Sequence, residues 1–380
     1  MKPTLISVLA ALLCTPLRSA TNVTVTNPTA QKRPAETVSI AWPLNDVTTQ
    51  DLRVIDTNGN AIPHQLFDSN GDGTTDQLLF TVRMNPNEIR TYRVVFDASI
   101  PCADTRSICF NRHVPERLDD VAWENDKTVF RVYGPAVALP PPKGEGLISS
   151  GVDVWCKNVS SNVINTRYKR GNYHTNHGDG MDFYKTGPAA GVGGYGILRD
   201  GTWYNSGNWQ TYRHLCNGPI RTAFELTYNG WQIDGTQITE TRRISLDAGT
   251  HFTRHESTIT VKGGKPLVGG PAVDISTTRR HNGAILLDAQ AGLLANAEPK
   301  QGKNGFICSG LIFPGGGNAI TDSAGCLHFT RPLPQGTSTI VWYAGSAWSG
   351  DPTFARPTAW HAATKARADA LSSPLRITVK

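Results

Sequence analysis

The sequence predicts an all-β protein built from sandwiches, and three observations carry this prediction. Short runs of β-branched and aromatic residues alternate with Gly, Asn, Asp and Pro along most of the 380 residues. Long helical patterns are nearly absent, and only the Ala-rich stretch from Thr358 to Leu371 predicts a helix. Apolar residues make up 39% of the chain, which is enough to fill a sizeable core.

The first 20 residues predict a signal peptide. Lys2 supplies the positive start, Leu5 to Leu13 forms an apolar stretch, and Ser19 and Ala20 are small residues suited to cleavage. No later stretch approaches the roughly 18 apolar residues that a membrane helix needs. We therefore expect a secreted or periplasmic protein with no membrane contact once the signal is removed.

Two domains are expected after the signal peptide. Residues 21–112 predict a small N-terminal β-sandwich, because strands recur there at the short intervals typical of sandwiches. Its predicted strands are Thr37–Ala41, Asp51–Asp56, Gln77–Val82 and Thr91–Phe96. Residues 113–380 predict a larger β-domain with longer strands, which include Thr222–Tyr228, Gln237–Ser245, Thr253–Val261 and Ser338–Trp342.

An even number of cysteines in an exported chain predicts disulfide bonds. The spacing of the six cysteines favours Cys102 with Cys109 and Cys308 with Cys326, which leaves Cys156 with Cys216. Their spacings match no zinc pattern.

The chain carries a net charge of +6, and its 37 basic residues are spread along the sequence. Such a diffuse charge suits an anionic ligand, although it is also common in exported proteins. Nucleic-acid binding would need a basic stripe or a known module, and the sequence has neither.

The segment from Tyr173 to Lys185 is the densest collection of proton-transfer groups in the chain. His177 or His174 could act as general base, since the pKa of histidine lies near neutrality. Tyr184 or Tyr173 could donate or relay a proton. The carboxylates of Asp179 and Asp182 could form a pair or orient a histidine, and Lys185 could bind an anion.

Aromatic and basic residues around this segment suit a sugar groove. Trp203, Trp209 and Trp123 could stack on sugar rings. Arg221 could clamp a uronate carboxylate through two hydrogen bonds. The alternative for the strand arginines is salt bridging with Glu225, Glu240 and Glu256.

The loop from Asp68 to Asp76 matches the first half of a calcium loop. Asp68, Asn70, Asp72 and Asp76 place oxygen ligands at positions 1, 3, 5 and 9. Leu79 replaces the bidentate glutamate of position 12, so the loop is either a structural calcium site or a polar hairpin turn. No cofactor for catalysis is expected.

Several motifs together resemble the bacterial exported proteins grouped as a domain-of-unknown-function family, number 4861. The motifs are Trp123–Asp126, Arg131–Pro135, Gly151–Cys156, Tyr173–Tyr184, Asn217–Arg221 and Arg243–Asp247. The resemblance covers almost the whole mature chain. It implies a galactose-mutarotase-like β-supersandwich, a fold that many polysaccharide lyases share, and a role in degrading pectin-like uronate polymers.

These expectations combine into an exported enzyme that acts on acidic oligo- or polysaccharide, with β-elimination as the leading hypothesis. His177 would be the base, Tyr184 the acid or its partner, and Arg221 with Lys185 would neutralise the uronate carboxylate. A glycoside hydrolase that pairs Asp179 or Asp182 with Glu225 or Glu240 across a cleft is the close alternative. A sugar mutarotase or epimerase and a non-catalytic carbohydrate-binding protein are the others.

Overall fold

A computed structural model describes residues 20–42 and 49–380, so the predicted signal peptide lies outside the described residues apart from Ala20. The first half contains β1 (Thr21–Thr26), β2 (Arg33–Ala41), β3 (Leu52–Ile55), β4 (Ala61–Ile62), β5 (His64–Phe67), β6 (Gln77–Met84), β7 (Ile89–Phe96), β8 (Phe110–Val114), β9 (Asp120–Glu124), β10 (Val129–Val132), β11 (Val152–Lys157), α1 (Ile164–Arg170), β12 (Gly180–Met181) and β13 (Val192–Arg199). The second half contains β14 (Thr202–Asn205), β15 (Thr211–Cys216), β16 (Arg221–Ile233), β17 (Thr236–Asp247), β18 (Phe252–Lys262), β19 (Leu267–Asp274), α2 (Ser276–Arg280), β20 (Ala284–Asp288), β21 (Leu293–Ala297), β22 (Ile307–Ile312), β23 (Asn318–Thr321), β24 (Cys326–Leu333), β25 (Gly336–Trp348), α3 (Pro357–Ser372) and β26 (Arg376–Val379). Short 3-10 helices span Thr49–Asp51, Pro115–Arg117, Pro135–Ala138, Gly302–Asn304 and Pro352–Phe354.

The N-terminal sandwich consists of a five-stranded sheet, β26-β1-β7-β3-β4, and a three-stranded sheet, β2-β6-β5. Alternating apolar residues of both sheets, such as Val23, Val38 and Phe80, are fully buried between them. The last strand of the chain belongs to this sandwich, because Val379 pairs with Val23 in antiparallel register. Residues 376–379 therefore lie with the N-terminal sandwich, outside the predicted 21–112 range.

The larger domain is built on an eight-stranded antiparallel sheet, β15-β16-β17-β18-β25-β22-β21-β20. Phe224, Leu226 and Tyr228 of β16 point to its buried face, which shares one core with the sheets β12-β11-β10-β9-β8 and β14-β13-β19-β24-β23. The prediction of an all-β fold, a small sandwich followed by a large antiparallel β-supersandwich, is confirmed. Each of the eight strands predicted from the sequence coincides with an observed strand; seven lie inside it, and Asp51–Asp56 extends one residue beyond β3 at each end.

The opposite, polar face of β16 contacts the N-terminal sandwich. Glu225 accepts hydrogen bonds from Arg213 and Arg243, and both arginines also bind backbone carbonyls of the loop that precedes β6. Its polarity therefore reflects an interface between two parts of the chain as well as solvent. This arrangement also fits the salt-bridge interpretation of the strand arginines.

The predicted Ala-rich helix is confirmed as α3, which packs against β21 and β22. Trp360 is fully buried there, stacks on Phe252 with ring centroids 5.2 Å apart, and donates its indole N–H to the carbonyl of Ser309 at 2.9 Å. α1 and α2 were not predicted, because five to seven residues are too few to show a helical period.

The predicted disulfide pairs are absent from the described part of the chain. All six cysteines there are free thiols, and four are buried: Cys109, Cys156, Cys308 and Cys326. Cys308 and Cys326 lie on strands of different sheets, so closeness in sequence did not translate into pairing. Among the described residues, no helix is long and apolar enough to cross a membrane.

Substituting Trp360→Ala is expected to lower the stability of the protein by about 3–5 kcal/mol, because it removes a fully buried aromatic side chain and leaves a cavity. Chemical denaturation measures the change. Thr358→Ala, at an exposed position of the same helix, is the control and should change stability little. Equal losses for both variants would contradict the assigned packing of α3.

Candidate active site

The Tyr173–Lys185 segment is anchored at Gly180, where β12 approaches β11. Gly180 has a φ of +100°, and a Cβ there would lie 2.2 Å from the carbonyl oxygen of Cys156. Only glycine permits this approach. Arg167 of α1 binds the carbonyls of Cys156 and Asp179 at 2.8 and 2.6 Å. The Asp179 carboxylate lies 3.6 Å from both Arg167 and Arg170, which makes it a structural ion pair.

The guanidinium of Arg131 lies in a buried cluster of three carboxylates. Its nearest nitrogen–oxygen distances are 2.5 Å to Asp153, 3.3 Å to Asp182 and 3.9 Å to Asp120. The four side chains are at most 6% exposed. One arginine cannot neutralise three buried carboxylates, so the cluster favours proton uptake.

Two of these carboxyl groups hold protons more tightly than usual. Burial raises the pKa of Asp120 to about 7, against the opposing charge of Arg131. Burial, together with the charge of Asp153, also raises the pKa of Asp182. A buried carboxyl group with a raised pKa favours its neutral form, which suits a structural role under the loop.

Tyr173 joins this cluster and is nearly buried. Its ring stacks on Trp155 with centroids 4.9 Å apart, and its hydroxyl lies 3.3 Å from both Arg117 and Arg131. These contacts fix the start of the segment to the sheet below it.

The two histidines of the segment are exposed. Nδ1 of His174 lies 3.1 Å from the backbone carbonyl oxygen of Asp182 and 3.6 Å from its carboxylate. His177 is exposed and makes no hydrogen bond or ion pair with a described residue. The structure thus leaves His177 accessible but gives it no partner that would orient its ring.

The end of the segment lines a cavity of about 420 Å³, which we call the Glu298 cavity. Its ionisable lining residues are Tyr184, Lys185, Asp274, His281, Glu298 and Lys300. The cavity combines two carboxyl groups, a tyrosine hydroxyl and three groups that can carry positive charge. It therefore holds the kinds of groups that proton transfer on an anionic ligand requires.

Glu298 follows the buried strand β21 and is only 8% exposed. Its Oε2 accepts a hydrogen bond from Gln301 at 3.0 Å. Burial, helped by the charge of Asp274, raises the pKa of Glu298 to about 7. A carboxyl group that titrates near neutral pH can both accept and return a proton under physiological conditions.

Tyr184 is also 8% exposed, and its hydroxyl is buried and has no hydrogen-bond partner among the described residues. Burial and the nearby charges of Asp274 and Glu298 raise the pKa of Tyr184 further above its usual value. Its hydroxyl is therefore protonated at neutral pH and can act as a donor.

A second cavity, of about 270 Å³, contains Trp203 and is called here the Trp203 cavity. The Trp203 ring stacks on His328 with centroids 3.5 Å apart and an interplanar angle of 6°. Nε2 of His328 lies 2.8 Å from a carboxylate oxygen of Asp322. Of the aromatic residues predicted to bind sugar, Trp203 alone is half-exposed in a cavity.

Three other residues predicted to bind the substrate, Trp123, Trp209 and Arg221, do not line either of these two cavities. Trp123 is fully buried and donates its indole N–H to Thr253, so its ring belongs to the core. Trp209 is 4% exposed. The guanidinium of Arg221 makes two hydrogen bonds to Asp247, at 2.6 and 2.8 Å, in a cavity separate from that of Lys185. The Asp247 carboxylate therefore neutralises the charge of Arg221 within the protein.

The predicted calcium loop is folded as a polar turn. The Asp68 carboxylate accepts hydrogen bonds from the backbone amides of Gly71 and Gly73, both at 2.6 Å. Asp76 accepts from Ser69, and Asn70 accepts from the amide of Asp72. Among the described residues, no group of three or more His, Cys, Asp or Glu side chains could hold a metal ion. Calcium binding by this loop stays a prediction.

Sequence reasoning missed Asp274, His281, Glu298 and Lys300. Asp274 is the last residue of the buried strand β19, and Glu298 directly follows the buried strand β21 and precedes a proline. A charged residue directly after an apolar strand was the available signal. These residues line the same cavity as Tyr184 only because distant strands pair in the sheets, and the spacing of residues along the chain does not reveal that pairing.

Solved structures show the class of fold. An α-mannosidase from Enterococcus faecalis V583 superposes with a TM-score of 0.55 at 10% identity, over 95% of this chain and 46% of that one. A glycosyl hydrolase family 38 protein from Enterococcus faecalis gives 0.50 at 10% identity, over 95% and 47%. This chain spans about half the length of both proteins. At this identity the likeness concerns the fold alone.

Sequence comparison shows the family. Residues 25–377 match the family described as a domain of unknown function, DUF4861, and the chain belongs to it. The uncharacterized protein P7 of Formosa agariphila is 31% identical, over 94% of this chain and 93% of that protein. The family resemblance inferred from the motifs is confirmed.

The raised pKa of Asp120 predicts that thermal stability falls as the pH rises from about 4 to about 7. The folded protein holds this proton more tightly than the unfolded chain, so its stabilising effect is complete below pH 4 and is lost through pH 7. Asp120→Asn should reduce the slope of this part of the melting-temperature profile, because the amide is neutral throughout; the raised pKa of Asp182 accounts for the slope that remains. Asp200→Asn, whose side chain is 80% exposed, is the control. An unchanged profile for Asp120→Asn would contradict the assignment.

Proposed function

We propose that this protein is an exported carbohydrate-active enzyme that cleaves uronate-containing polysaccharide by β-elimination in the Glu298 cavity. The observation that carries the proposal is the convergence of a carboxyl group titrating near neutrality, a protonated tyrosine and two lysines on one cavity. The solved structures with a similar fold are named as an α-mannosidase and a glycosyl hydrolase, which supports a carbohydrate as the substrate.

The cations of the cavity would bind the uronate. Lys185 and Lys300 are exposed at its wall, and His281 lies beside them. An ammonium group near the C5 carboxylate stabilises the negative charge that accumulates there when the neighbouring proton leaves. Lys185 keeps the role predicted from the sequence, and Lys300 takes the role predicted for Arg221.

Glu298 would be the base and Tyr184 the acid. The ionised Glu298 carboxylate takes the C5 proton, and the electron pair of that bond forms the C4–C5 double bond. The C4–O bond breaks, and the departing oxygen takes a proton from the Tyr184 hydroxyl, which is buried in the free protein and must turn into the cavity when the ligand binds. A proton then returns from Glu298 to Tyr184 or is exchanged through water, which restores both groups.

His174 and His177 do not line this cavity and would contact only those parts of a polymer that extend beyond it. His174 and His177 precede β12, whereas Tyr184 follows it; His174 contacts Asp182, and the exposed ring of His177 has no partner among the described residues. His177 is the alternative base, as the sequence suggested. The cavity favours Glu298, because burial and the charge of Asp274 tune its pKa.

A glycoside hydrolase is the second candidate, supported by the two carboxyl groups Glu298 and Asp274 in one cavity. In that reaction, the protonated Glu298 would act as general acid and the ionised Asp274 as base or nucleophile. The two reactions require opposite protonation states of Glu298, so the pH profile separates them.

For β-elimination, activity on uronate polysaccharides is expected to rise with pH, with a midpoint near 7, as Glu298 ionises. Ultraviolet absorbance of the unsaturated product is the measurement, and reducing ends are counted in parallel. A profile that falls through pH 7, with reducing ends but no absorbance, identifies the hydrolase instead. Neither product from a panel of uronate glycans would contradict the proposal.

Glu298→Gln should lower kcat by about 100-fold or more, since it removes the base while keeping the size of the side chain. Tyr184→Phe is expected to give a comparable loss. His177→Ala is the matched comparison and should retain most activity. The reverse pattern, with an active Glu298→Gln and an inactive His177→Ala, would return the base role to His177.

A further inference from the structure

The Trp203 cavity and the Glu298 cavity are neighbours. Asp274, which lines the Glu298 cavity, pairs directly across β19 and β24 with Cys326, which lines the Trp203 cavity. The same loop contributes to both, because residues 183–185 line one cavity and residues 188–190 line the other. The two cavities therefore have adjoining walls, and a ligand that occupies both must be longer than one sugar unit.

The chemistry of the two linings differs. The Glu298 cavity presents Lys185, His281 and Lys300. The Trp203 cavity contains no lysine or arginine, and its carboxylate, Asp322, is engaged by His328. The remaining polar groups include the side chains of Asn205 and Ser323, which are neutral. A carboxylate placed there would have no cation to meet it.

His328 gives this cavity a defined hydrogen-bonding preference. Its side chain is 4% exposed, and burial lowers its pKa despite the opposing effect of Asp322, so the ring is neutral at physiological pH. Its Nε2–H is donated to Asp322, which leaves Nδ1 with a lone pair. Nδ1 is buried and has no partner among the described residues. It can accept a hydrogen bond from a hydroxyl group but not from an ionised carboxylate.

Trp203 supplies the apolar surface. One face of its indole lies against the His328 ring, and the residue is half-exposed at the cavity wall. Tyr204, 37% exposed, lies beside it. Aromatic faces next to hydroxyl-accepting groups suit the mixed apolar and polar surface of a sugar ring.

We infer that the Trp203 cavity binds an uncharged sugar unit adjacent to the uronate in the Glu298 cavity, so that the substrate carries neutral and acidic sugars side by side. The inference rests on the proposed function for its acidic half. Trp203 stacks on the neutral ring, and a shift of the cavity wall on binding lets the buried Nδ1 of His328 accept a hydrogen bond from one of the hydroxyl groups of the sugar.

The test is a binding experiment that needs no catalysis. The full-length mature protein, labelled with nitrogen-15 at tryptophan, is titrated with the methyl glycosides of glucose and galactose and, separately, with those of glucuronate and galacturonate. The indole N–H signal of Trp203 is assigned by its loss in Trp203→Phe. We expect at least one neutral glycoside to shift this signal, and the uronates to leave it in place.

His328→Gln is the discriminating variant. Its amide nitrogen can keep the hydrogen bond to Asp322, whereas the acceptor at the Nδ1 position is lost. We expect neutral-glycoside affinity to fall about tenfold, which corresponds to about 1.4 kcal/mol. The melting temperature, measured alongside, should change little. Trp203→Ala should weaken the same ligands to a similar extent, and Lys185→Ala should not.

Three results would overturn the inference: no shift of the Trp203 signal by the neutral glycosides, a shift by the uronates, or unchanged affinity in His328→Gln. The experiments distinguish a failure of this inference from a failure of the proposed function. Elimination activity that depends on Glu298, without neutral-sugar binding at Trp203, leaves the proposed function standing. Neutral-sugar binding without elimination or hydrolysis removes the proposed reaction and retains the sugar site.

Discussion

The buried guanidinium of Arg131 holds the candidate site to the fold. It gathers carboxylates from β9, β11 and the loop after β12, together with the hydroxyl of Tyr173. Removing one partner from a buried ion cluster leaves an uncompensated charge, which is far more costly than losing an exposed ion pair. The loop that supplies Tyr184 and Lys185 therefore depends on this cluster for its path across the sheet.

Burial raises the pKa of carboxyl groups in two places with different consequences. Asp120 and Asp182 lie against Arg131 beneath the loop, and their protons lower the charge of a packed cluster. Glu298 has the same kind of shift but faces a cavity that a ligand can enter. A shifted pKa therefore supports a catalytic role only where the group also faces a cavity that a ligand can enter.

The fold was predictable further than the site. Alternation in β16 correctly assigns Phe224 and Leu226 to the core, because the side-chain period of a strand is a local property. The density of ionisable groups also led to Tyr184 and Lys185. Glu298 and Asp274 reach the same cavity only through pairing among strands far apart in sequence, which residue spacing does not encode. The predicted pair of Cys308 with Cys326 fails for the same reason, since the two residues lie on strands of different sheets.

The pairing of β26 with β1 joins the two ends of the described chain in one sheet. Contacts between segments so distant in sequence form slowly, because a long loop must close before they contribute. The larger domain, whose strands pair mostly with near neighbours, can complete its sheets first. Until the final strand arrives, β1 presents an unpaired edge to its surroundings. The order in which the chain emerges thus sets a period in which the sandwich is most exposed to edge-to-edge association.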